Sequence, residues 1–163
     1  MSLVVSDTSP IRALAHLARL DVLPALFDEV FIPPAVVNEL ATPVRKFKPL
    51  HLNAMPQLKV QAPGDPARVA AFRKRLDQGE SEALALALEL SARAVLIDET
   101  AGRAVAAAEG LVPIGTIGVL SLAKRQKLLS EIRPLLDRLI QEINFFVGSA
   151  LYERALRDAG ETP

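Results

Sequence analysis

The chain has no cysteine and no tryptophan, and only one tyrosine and six phenylalanines among its 163 residues. Absence of cysteine removes disulfides, thiolate metal sites and cysteine nucleophiles together, and it suits an intracellular setting. Scarcity of aromatics leaves a core of Leu, Val, Ile and Ala, the composition of a buried parallel sheet covered by helices. There is no excess of either charge: nineteen basic residues balance nineteen acidic ones. The gross positive charge of an architectural DNA binder is therefore missing, and a nucleic-acid partner would have to meet a local basic rim. No apolar run reaches the length needed to span a bilayer. The Leu3-Val4-Val5 stretch meets Asp7 too early to be a signal-peptide core. A soluble cytoplasmic protein is expected. Gly-rich nucleotide fingerprints and P-loops are also absent.

What is present is a chain half of whose residues are hydrophobic, arranged in short apolar runs that alternate with helical periodicity. Strands are predicted at Leu3–Ser6, Val30–Ile32, Ala94–Ile97 and Leu111–Ile114, with an edge strand near Leu58–Gln61 and a last one at Asn144–Val147. Between them the spacing predicts helices. One starts at Ser9 as N-cap with Pro10 in the first helical position, and one covers Pro34–Leu40. Others cover about 67–76, 83–90, 101–109, 116–128 and 134–142, with a terminal helix from Ser149. Alternation of this kind implies βαβ units, hence a three-layer α/β/α sandwich around a mainly parallel five-stranded sheet, in one domain over residues 1–163.

The acids carry the functional signal. Asp7 and Asp98 each follow an apolar strand directly. In an open parallel sheet the carboxyl ends of the strands form the ligand-binding edge, above all where the winding reverses. Two aspartates brought together there repel, which raises one pKa unless a cation lies between them. Glu39 falls on the helix after the second strand, and Glu80 and Glu82 fall at the start of another helix. A carboxylate set without thiols is hard and oxygen-rich, suited to Mg²⁺ or Mn²⁺ rather than zinc. Such metal centres serve phosphodiester hydrolysis. Each acid alone also has an ordinary explanation as a turn, cap or solvated helix residue. Thr8, Ser9 and Thr116 are candidates to hold water or a phosphate oxygen, with N-capping as the alternative. Arg12 and Arg103 are candidates for a phosphate backbone. Arg45, Lys46 and Lys48 form the strongest local basic group. His16 and His51 lack ligand spacing and read as structural.

Taken in order, Val4-Val5-Ser6-Asp7-Thr8-Ser9-Pro10, Ile32-Pro33-Pro34-Ala35-Val36-Val37-Asn38-Glu39-Leu40, Gly79-Glu80-Ser81-Glu82-Ala83, Val95-Leu96-Ile97-Asp98-Glu99 with Arg103, and Gly115-Thr116-Ile117-Gly118-Val119-Leu120 resemble the PIN-domain family. The set is similar to VapC-type ribonuclease toxins, in a prokaryotic branch filed as a domain of unknown function. The resemblance implies a five-stranded parallel sheet between helices and Mg²⁺- or Mn²⁺-dependent cleavage of RNA. By position it assigns Asp7, Glu39, Glu82 and Asp98 as metal-binding and catalytic acids, with Glu80 as rival to Glu82 and Glu99 as auxiliary. Thr8, Ser9, Arg103 and Thr116 fall to the substrate side. The resemblance further implies a small antitoxin partner; a homodimer is expected, and helices with little charge such as Ala83–Leu90 suit either its contact or the core equally. One departure stands out: many relatives place Thr or Ser after the later strand and the acid two residues on, where this chain has Asp98 at once and Thr100 at the offset. A PIN-like module that binds RNA or protein without efficient turnover is the alternative. A dehalogenase-type phosphatase is weakened by Ser9, which stands where its second Asp is needed.

Overall fold

In the computed structural model, which describes residues 2–163, strands β1 (Leu3–Ser6), β2 (Glu29–Ile32), β3 (Leu58–Val60), β4 (Ala94–Leu96) and β5 (Pro113–Ile114) form one sheet. All neighbouring pairs are parallel, in the order β3-β2-β1-β4-β5. The chain thus winds outward from β1 through β2 to β3, then returns to lay β4 on the other side of β1. That reversal places the topological switch point between β1 and β4, where Ser6 is in register with Leu96 and the Asp7 N–H donates to the Leu96 carbonyl at 2.9 Å.

Side-chain alternation assigns each strand residue to a layer. Val4, Val30, Ile32, Ala94 and Leu96 join a core with α1 (Thr8–His16), α2 (Val22–Leu26), α3 (Pro34–Ala41), α7 (Thr116–Arg125), α8 (Arg133–Ile143) and α9 (Ser149–Asp158). Val5, Val95 and Ile97 point the other way, into α4 (Pro66–Phe72), α5 (Gln78–Glu89) and α6 (Thr100–Ala108). The result is the expected three-layer α/β/α arrangement. Both faces of β1 and β4 are covered, so these strands read as continuous apolar runs rather than alternating ones.

Two local expectations need correction. The helix after β1 begins at Thr8, with Asp7 in the N-cap position, so Ser9 lies inside the helix and is not its cap. Residues 144–147 form no strand: Asn144 closes α8 in the left-handed conformation (φ 55°) and the segment runs unpaired to α9. Its half-buried Phe145 and Val147 flank an exposed Phe146, which imitates the alternation of a strand without supplying a partner. Of the two readings for Ala83–Leu90, the core is the one found: Ala83–Ala87 of α5 are fully covered by the sheet and its neighbours. Helix α2 was not foreseen, its five residues being too few to show a period.

Candidate functional site

Asp7 sits one residue beyond β1 and is 5% exposed. Burial pushes its carboxyl from 3.8 up to about 7. The Thr8 backbone N–H works against that shift, while repulsion from Asp77, Glu39 and Asp98 adds to it. Asp98 lies two residues past β4, and its oxygens are taken by three donors. Ser9 Oγ reaches it at 2.8 Å, and Thr116 contributes both its N–H at 2.7 Å and its Oγ1 at 2.8 Å. Ser9 and Thr116 therefore hold the acid in place from two helices, α1 and α7.

Glu39, on α3, accepts a hydrogen bond from Thr8 Oγ1. Its backbone carbonyl accepts from Arg12 Nη2 at 2.7 Å, and the Arg12 guanidinium lies 5.2 Å from the Phe47 ring centre. Glu80, on the first turn of α5, is 7% exposed. Burial, hydrogen bonding to Asp77 and the charges of Asp77, Asp7 and Glu99 raise it from 4.5 to about 8. Asp77 caps the same helix by accepting the Glu80 N–H at 2.8 Å. Arg103, on α6, donates from Nη1 to the Ile97 carbonyl at 3.1 Å, immediately before Asp98.

Glycines make room for three of these acids. A Cβ on Gly79 would fall 2.5 Å from Glu39 Oε1, and one on Gly102 would fall 2.9 Å from Glu80 Oε2. One on Gly115 would lie 3.1 Å from both Asp98 Oδ1 and Arg103 Nη1. The glycines are used here for close approach and not for a left-handed backbone.

These residues line a single open cavity of about 1030 Å³, with Asp7, Glu39, Asp77, Glu80, Asp98 and Glu99 on it and Arg12, Arg103 and Arg125 beside them. No ion pair among the described residues involves any of these six acids. The donor set is all oxygen and uncompensated by side-chain cations, the chemistry that hard divalent ions take. Asp7, Glu80, Glu39 and Asp98 are the groups able to offer ligands. Among the described residues, however, no three of them are drawn together into a ready cage. Thr8, Ser9 and Thr116 instead occupy oxygens of Glu39 and Asp98.

Glu82 is placed elsewhere. Two residues along a helix is a rotation of about 200°, so Glu80 and Glu82 face opposite ways. Glu82 Oε1 accepts the Ala35 N–H at 3.1 Å at the start of α3, and its Oε2 accepts from Gln78 at 2.6 Å. It does not line the cavity, whereas its rival Glu80 does. Glu99, exposed at the N-cap of α6, lines the rim. Asp77 was not foreseen as a member of the cluster. The Asp77-Gln78-Gly79-Glu80 spacing, acid to acid across a first helical turn, is the signal that could have found it. The Ser81 hydroxyl is buried and without a hydrogen-bond partner, and nothing in the structure explains it.

A family model described as a PIN domain matches residues 3–161. No curated protein matches the chain.

Proposed function

The chain belongs to the PIN-domain family, a nuclease-type fold, and from that premise we propose that it is a Mg²⁺- or Mn²⁺-dependent endoribonuclease. The observation that supports this most is the acid cluster of Asp7, Glu39, Glu80 and Asp98, set at the β1/β4 switch point with no cation paired to it. In this reading Asp7, Glu80 and Asp98 hold the metal with Glu39, and Glu80 takes the place that sequence position gave to Glu82. A bound divalent ion would supply charge neutralisation at a phosphate and a water more acidic than bulk water.

The chain's own groups do the rest. With Asp7 pushed up to about 7 and Glu80 to about 8, both are partly protonated near neutral pH and would give up those protons to act as ligands. Ser9 and Thr116 orient Asp98. Arg12 and Arg103 each spend one N–H on a backbone carbonyl beside an acid, Glu39 and Ile97 respectively. Their remaining donors are available for phosphate oxygens in the forked geometry that suits them.

The test is cleavage of single-stranded RNA by the purified chain with Mn²⁺, compared with EDTA and with Asp7→Asn. Activity that survives both changes would sink the site. A second reading, a binding module with little turnover, is supported by the three donors that already occupy Asp98. Calorimetry showing RNA binding without Mn²⁺ binding would favour it. We further place the chain as the toxin of a toxin–antitoxin pair and as a homodimer. A small reading frame beside its gene and sedimentation at twice the chain mass would bear on these two points.

A further inference from the structure

Phe146 is the most exposed large apolar side chain among the described residues, at 92%. It is not at a loose end. Asn144 closes α8, the Phe145 N–H donates to the Leu139 carbonyl at 3.0 Å, and Phe145 packs on the core. Three residues after Phe146 α9 begins, with the Tyr152 N–H bonded to the Gly148 carbonyl at 2.9 Å. A segment tied at both ends thus presents an aromatic ring to solvent, on the wall of the same cavity that holds the acids and Arg12, Arg103 and Arg125. A lone exposed apolar side chain is ordinary by itself; what sets Phe146 apart is its place on the wall of the acid-lined cavity, on a segment fixed at both ends.

We propose that Phe146 is a stacking platform for one base of a single-stranded nucleic acid whose phosphates run past Arg125 toward the acids. This rests on the phosphodiesterase reading above and adds what selects the strand. A ring on a cavity wall that also carries arginines offers both contacts that an unpaired nucleotide makes, a π-face for the base and donors for the backbone. In a duplex the base faces are already stacked, so the ring selects against paired substrate. A protein partner would need a wider apolar patch. Among the described residues Leu151 is the one other exposed large apolar residue on this wall; the remaining apolar lining, such as Ile117, Leu122, Ile143 and Phe145, is half-buried, and Val44, Val60 and Val112 lie off the wall.

The experiment measures anisotropy of a labelled 2′-O-methyl strand, which resists cleavage, with the full chain and Mn²⁺. It uses the single strand and its duplex, and compares Phe146→Ala, Phe146→Leu and Phe146→Trp. The single strand is expected to bind more tightly than the duplex. Alanine and leucine should weaken single-strand binding about five- to a hundredfold, as for loss of one stacked base, and tryptophan should restore it. Equal affinity for both strands, or leucine binding as well as phenylalanine, overturns the proposal. So does a variant that loses self-association in sedimentation while keeping strand affinity, which would assign the ring to a second copy of the chain. Cleavage of unmodified RNA, scored separately, tests the reading beneath. Its absence alongside Phe146-dependent binding would sink the nuclease and leave the platform standing.

Discussion

The molecule buries acids in two regions and treats them in opposite ways. Near the C-terminus, Glu161 is covered, and burial alone would raise its pKa. The Ile132 N–H at 2.8 Å, Lys124 Nζ at 2.8 Å and the Arg133 N–H at 3.1 Å outweigh that and hold it below the ordinary range. There the carboxylate ties α7 and the start of α8 to the end of the chain. At the switch point, Asp7 and Glu80 are more fully buried than Glu161 and their neighbours are further acids, and both are pushed up, to about 7 and about 8. A carboxylate that the fold uses for its own stability comes with its donors. Asp7 and Glu80 have no cation paired to them among the described residues, and their raised values mark a cost to the folded state once they ionise.

The sharpest way to break this contrast is Asp7→Asn. We expect RNA cleavage with Mn²⁺ to fall to background, while the same substitution makes the metal-free protein more stable at pH 8. The sign follows from linkage. Between about pH 4 and pH 8 the folded protein keeps protons on Asp7 and Glu80 that the unfolded chain has released, so stability falls as pH rises through this window and levels off above it. Thermal melts in EDTA across that range should slope downward for the wild type and less so for Asp7→Asn. A flat wild-type profile would remove the basis for calling these acids frustrated.

Glu161→Ala should do the reverse, costing about 1–3 kcal/mol in urea denaturation because it strands Lys124 and two backbone donors, with Mn²⁺ affinity unchanged. The contribution of Glu161 is present above pH 4.5 and is lost as the pH falls through its lowered native value. Next in size is Gly79→Ala. Its Cβ would meet the carboxylate end of Glu39 and not backbone, and alanine suits a helix better than glycine. Activity should drop with no loss of melting temperature, and a fall in both together would mean that the glycine serves packing alone. Smallest is the pair Glu80→Gln and Glu82→Ala, compared by calorimetry with Mn²⁺. The first should weaken metal binding. The second should leave it intact and cost about 1 kcal/mol of stability, through the cap on Ala35.

Much of this could be read along the chain, and the exceptions share a cause. Asp7 and Asp98 were legible because an acid directly after an apolar run is a one-dimensional pattern, and the sheet order turns it into proximity. Choosing between Glu80 and Glu82 required the phase of α5, which a run such as Ala83–Leu88, apolar at every position, does not reveal. The segment 144–147 alternates as a strand does, but pairing is a property of neighbours and not of the segment. Glu161 carried no signal at all: its donors come from residues 124, 132 and 133, and only packing brings them together. The three glycines were visible as letters, but not as sockets for acids that lie many residues away.

The sheet order also has a consequence for how the protein is made. Asp7 emerges from the ribosome early, yet Asp98 and the Thr116 that fixes it follow about ninety and more residues later, and β4 must dock on β1 before they meet. Domains fold as units while synthesis proceeds from the N-terminus. A half-made chain therefore carries Asp7, Glu39 and Glu80 without the Asp98 that completes the set. If the finished protein cuts RNA, its own message is exposed to it only after most of the chain has already been translated.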